Sequence, residues 1–229
     1  MTEDRTALEN FDGITRLFPL PNLTFFPGAH QPLHIFEPRY REMMADALAD
    51  DRLISLVLLE TGWDQDYDET PKLHPVACLG RVVADQLLPD GRYNLLLRGI
   101  ARVRIIEELP GDKPYREARV EILPDQSTED VPTLMALRAE MSELILPRIL
   151  HEQLRTQLTE LFVSEMPLGR VTDIIGFALP IPLSVKQEML CELRVEHRAR
   201  LLIEGFRSML SVSGTPSISR RFPPGFSEN

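Results

Sequence analysis

The hydrophobic period of this chain switches lastingly at Pro124, and that change constrains the fold more than any other feature. Ahead of Pro124, apolar residues alternate with polar ones or run together in short stretches bounded by Pro, Gly and Asp. Beyond it they recur every three or four positions. A period of two places side chains on the two faces of a strand, and a period of about 3.6 lines up one face of a helix. Strands therefore come first and helices second, an α+β layout.

In the first half, 14–20 (ITRLFPL), 23–26 (LTFF), 32–36 (PLHIF), 53–59, 79–88, 93–97, 100–106 and 117–123 read as strands. The run LISLVLL at 53–59 is apolar without a break, as in a strand buried on both faces. Pro27-Gly28 marks a turn, and Pro89-Asp90-Gly91-Arg92 between two apolar runs is a hairpin signal. Seven or eight short strands with frequent turns suggest a closed or curled sheet. One helix interrupts them over 38–49, with Pro38 in a first turn that needs no donor there and Tyr40, Met43, Met44, Ala47 and Leu48 at helical spacing.

The second half predicts helices over 131–146, 149–163 and 168–179, and a long one from Ser184 to about Phe206. Pro147 should break or kink the first. Ser184 with Gln187 forms a capping box for the last. The expected organisation is a β-rich domain over 1–124, a helical subdomain over 125–212 and a flexible, Ser- and Pro-rich tail over 213–229.

Several function classes lack their residues. The net charge is −10, and the densest basic groups (RYR at 39–41, RVRII from 102, RVEHRAR from 194) read as solvated faces, which argues against nucleic acid as a partner. No apolar stretch suits a membrane helix or a signal peptide, so a cytoplasmic location is the default. Cys78 and Cys191 lie far apart among apolar residues and read as reduced core positions. His30 and His34 are separated by Pro32 on a strand, so they should not converge on a metal. Asp64, Asp66 and Asp68 begin like a calcium loop, but Glu69 and Pro75 stand where Gly and Glu are required. There is no Gly-Lys for a phosphate loop, and Ser142 and Lys186 sit in helical patterns, the lysine exposed. Neither ATPase nor protease chemistry is expected, and no cofactor.

The segment LFPLPNLTFFPGAHQPLHIFEPRYREMM, 17–44, resembles the opening of the N-terminal, substrate-binding domain of Lon protease. HIFEPRY, 34–40, is similar to the form found in short bacterial and cereblon-type members. LGRVV (79–83), the hairpin LLPDGRYNLLLRGIARVRI (87–105) and DIIGFALPIPLSVKQEMLCELRVEHRARLLIE (173–204) continue the resemblance, which spans about 14–210. It implies a PUA-like pseudo-barrel of mostly antiparallel strands followed by a helical bundle. It implies a free-standing, non-catalytic module that binds unfolded or partly folded polypeptides, by pairing at a strand edge or through an apolar groove between barrel and bundle. A protease or chaperone is an implied partner. An adaptor docking through its helical face is the second reading, and a PUA-like RNA binder the third.

The strand-to-helix junction is the candidate peptide site: His34, Phe36, Glu37, Arg39 and Tyr40. Amides of the first helical turn lack internal partners, Arg39 adds a donor fork and Tyr40 an aromatic face. The opposing reading makes Ile35 and Phe36 core, Glu37 a cap and Arg39 a partner of Glu42.

Overall fold

The computed structural model describes residues 2–63, 71–127 and 130–213, which fall into two compact units dividing between Leu123 and Pro124. The acidic stretch at 64–69 and the tail from 214 lie outside the described residues.

The first unit carries helix α1 (Thr2–Glu9), strands β1 (Ile14–Leu20) and β2 (His30–Ile35), helix α2 (Pro38–Ala49), and strands β3 (Leu53–Leu58), β4 (Val76–Leu87), β5 (Tyr93–Leu109) and β6 (Arg116–Leu123). The strands form one mixed sheet in the order β2-β5-β4-β3-β1-β6, and β6 also pairs with β5. Five strands thereby close a pseudo-barrel, and β2 extends it along the first half of β5. Only β1 and β3 run parallel. Among the described residues, six strands stand where seven or eight were expected, for two reasons. Residues 93–97 and 100–106 form a single strand, because β4 and then β6 supply partners along its whole length. Residues 23–26 are not a strand, since the chain there turns at Gly28 (φ +86°) and Gly28 donates to the Gly99 carbonyl at 2.8 Å.

Closure explains the burial. All six residues of β3 are buried. Leu17, Val57, Leu79, Ile100, Val103 and Val120 fill the barrel interior. Helix α2 buries Tyr40, Met43, Met44 and Ala47, and the Tyr40 ring meets Phe18 of β1 edge-on, centroids 4.5 Å apart. The unpredicted α1 is held by charge. Arg81 and Arg98 face each other across β4 and β5, a destabilising pair of like charges. Asp4 pairs with both and Glu3 with Arg81.

The second unit contains α3 (Val131–Ile145), a 3₁₀ turn (Leu146–Arg148), α4 (Glu152–Val163), α5 (Leu168–Ala178), α6 (Leu183–Cys191) and α7 (Val195–Ser213). Pro147 ends α3 as expected. The long final helix is instead two. Residues 126 and 194 pair as an isolated bridge, with Gln126 donating to Leu193 and Val195 donating to Gln126, and this pairing consumes the backbone that a continuous helix needs. The capping box does not form either: Pro182 occupies the cap, and the Gln187 amide is buried facing Cys191 Sγ at 3.9 Å. Cys191 itself is exposed rather than core, while Cys78 is buried. Lys186 is half-buried, and its ammonium caps α5 by donating to the Phe177 carbonyl at 2.8 Å.

The basic run from 194 is no solvated face. Arg198 is fully buried and reaches three segments: the Glu192 carbonyl (2.7 Å), Asp125 (2.8 Å) and the buried Asp173 (2.9 Å). Gly169 leaves room for it, since a methyl group there would overlap the Asp125 carboxylate. Arg102, in the second basic group, is buried too.

Candidate functional site

Strand β2 delivers the chain to α2, and the β4–β5 hairpin folds up beside that helix. Leu88 and Arg92 close the hairpin with a 2.8 Å backbone bond, and Gly91 takes the left-handed conformation (φ +80°) that Asp-Gly turns favour. Asp90 accepts from the Arg92 amide and guanidinium, which holds its carboxyl down at about 2.

The five candidate residues separate by what they touch. Tyr40 is 7% exposed and belongs to the core. His34 Nδ1 donates to Asn94 Oδ1 at 2.7 Å, leaving Nε2 to accept from Arg92 at 3.3 Å. Glu37 stands at the N-cap position, but its carboxylate goes to Arg39 (2.8 Å) and not to the helix amides. Arg39 thus pairs with Glu37 rather than Glu42, and its guanidinium lies 4.6 Å from the Tyr40 ring centroid. Phe36 is 38% exposed and stacks on His34 with centroids 6.4 Å apart, so it is not core.

Beside this junction lies a groove of about 400 Å³ lined by Pro38, Arg41, Glu42, Ala45, Leu87, Gly91 and Tyr93. Leu87, at the end of β4 beside the turn, is 60% exposed. Sheet register sets Ile35, Tyr93 and Leu87 side by side across β2, β5 and β4. The groove residues Arg41, Leu87 and Tyr93 escaped the sequence reading. The clue was the Leu87-Leu88 pair before the turn, where alternation fails and one leucine must leave the core.

The free edge of β2 is interrupted at its centre by Pro32, which has no N–H to offer a further strand, and the Pro32 carbonyl accepts from the Gln31 side chain at 2.7 Å. Among the described residues, no group of three or more His, Cys, Asp or Glu is placed to hold a metal. Also among them, no helix is long and apolar enough to cross a membrane.

A mixed pseudo-barrel with a helical unit behind it in sequence defines an α+β fold shared with solved N-terminal domains of Lon type. One from Xanthomonas campestris aligns with a TM-score of 0.61 at 22% identity, covering 83% of this chain and 97% of that one. The N-terminal domain of Mycobacterium avium complex Lon protease aligns at 0.67 and 16% identity, covering 85% and 98%. The model of the ATP-dependent protease La (LON) substrate-binding domain matches residues 15–205, and the chain belongs to that family. It is 28% identical to Lon protease of Anaeromyxobacter dehalogenans over 197 residues, 86% of this chain and 23% of that protein. It is 27% identical to Lon protease 2 of Myxococcus xanthus, again over 86% of this chain and 24% of the relative. The chain spans about a quarter of the length of these curated relatives.

Proposed function

We propose that this chain is a non-catalytic module that binds unfolded or partly folded polypeptide at the groove between α2 and the β4–β5 hairpin. The observation that carries the reading is an exposed leucine, Leu87, on the wall of a groove whose other walls include Pro38, Ala45 and Tyr93. A concavity that sets apolar walls beside the charged Arg41 and Glu42 suits side chains of an extended segment. The central proline of β2 favours side-chain capture over strand addition there. Phe36 and the His34–Arg92 pair form a neighbouring surface, and Tyr40 and Glu37 hold the junction in shape. Clients arriving at such a module would pass to a protease or chaperone, and the cytoplasm is the compartment that fits this role.

The second reading, an adaptor docking through its helices, draws on Val131, Met135, Leu150 and Val163, which are each about two-thirds exposed or more. The test is a fluorescence-anisotropy titration of a dye-labelled, permanently unfolded polypeptide. Leu87→Asp should weaken binding about tenfold or more, the scale of a central interface residue. Binding that survives Leu87→Asp but fails with Met135→Asp would favour the adaptor surface.

A further inference from the structure

We infer that the groove takes the C-terminus of a polypeptide, with the terminal carboxylate on the Arg41 guanidinium and the last apolar side chain against Leu87 and Tyr93. The inference rests on the polypeptide-binding reading and narrows it to one chemical feature of the client.

Among the described residues, no carboxylate pairs with Arg41, which lines the groove. Four nearby carboxylates are committed elsewhere, Glu37 to Arg39, Asp90 to Arg92, Asp46 to Lys113 and Asp85 to Arg52, while Glu42 shares the groove wall without pairing with Arg41. None of these pairs with Arg41, and its Nε is shut off from solvent without a hydrogen-bond partner. The guanidinium is also held in place. It packs over Gly91 at the hairpin tip, where any side chain would overlap Nη2. A planar, pre-positioned fork favours a carboxylate, which can accept two parallel bonds.

The groove further selects which carboxylate. Glu42 lies on the same wall, and the whole chain carries −10, so a run of acidic residues is repelled. A single negative charge beside an apolar group is what remains. A chain ending in Leu or Phe presents both from one Cα, matching a lone arginine bordered by Pro38, Ala45, Leu87 and Tyr93. Capture of terminal carboxylates is a known mode of peptide recognition.

Three labelled peptides of one sequence separate the possibilities by anisotropy: one ending in Leu with a free carboxylate, the same peptide amidated, and an amidated version carrying one internal Glu. The free acid should bind the intact protein about tenfold more tightly than its amide, the scale of one charge-assisted bidentate contact. Arg41→Gln should erase that difference, and Arg41→Lys should restore part of it. Acid and amide binding alike would overturn the inference, and if Leu87→Asp still weakened both, the groove reading would survive alone. Equal binding of the internal-Glu peptide would overturn the terminal assignment. Failure of all three while unfolded polypeptide binds would also overturn it. Failure of unfolded polypeptide as well would remove the reading beneath it.

Discussion

The barrel and the helical unit solve the same problem with different chemistry. In the barrel, the buried polar groups apart from Arg102 are neutral, such as the Thr15 and Ser55 hydroxyls 3.0 Å apart, and the ion pairs ring the outside. In the helical unit, Arg198, Asp173 and Glu196 lie in the interior. A closed sheet satisfies its backbone by pairing, and pairing fixes register. Short helices satisfy their own backbones and leave their mutual placement open. Arg198 binds Asp125, Asp173 and the Glu192 carbonyl at once, and so specifies which segments meet. Such a network gains specificity more than net stability, because desolvating the charges offsets much of their attraction.

Breaking the network is the strongest probe of this difference. Arg198→Ala strands the buried Asp173 and should cost about 3–5 kcal/mol in urea unfolding. A loss under about 1 kcal/mol would show that the charges are solvated after all.

The barrel's counterpart is Tyr40→Ala, which removes the ring packed on Phe18 and should cost about 3 kcal/mol or more. Arg39→Ala, one position earlier but exposed beside Glu37, should cost less than about 1 kcal/mol. Equal losses would mean that the junction acts as one structural unit.

Gly169→Ala sharpens the same point by volume alone. The added methyl collides with Asp125 Oδ2 and should cost about 1–3 kcal/mol, measured by the same denaturation. The smallest effect is expected from pH. Arg194 holds the Glu192 carboxyl at about 2 against an ordinary 4.5, so its contribution is complete above 4.5 and is lost as pH falls toward 2. Arg194→Gln should flatten that stretch of the stability–pH curve slightly, since the pair is partly exposed.

The same contrast explains what the sequence made legible. The apolar-rich stretch at 14–20, the apolar run at 53–59, the Asp-Gly hairpin and the proline-started helix at 38 are local signals, and the structure follows them. The union of 93–97 with 100–106 depends on partners distant in sequence, so no window reveals it. A buried arginine is invisible for a related reason. In RVEHRAR, Arg198 differs from its exposed neighbour Arg194 only through Asp125 and Asp173, which lie 73 and 25 positions away. HIFEPRY marks the N-terminal end of α2, and burial divides its residues: Tyr40 turns inward, Phe36 outward. The groove's own residues Arg41 and Leu87 come from two elements that only the folded hairpin brings together.

The most direct measurement of where polypeptide binds is site-specific photo-crosslinking. A photoreactive residue is placed at Leu87 in one protein and at Met135 in another, each is irradiated with a permanently unfolded labelled polypeptide, and the adducts are mapped by mass spectrometry. Both positions are exposed, at 60% and 66%, so accessibility alone predicts similar yields. The groove account predicts strong crosslinking from position 87, competed by unlabelled polypeptide, and little from position 135. Competed crosslinking from 135 with none from 87 would contradict it and move the binding surface to the helices.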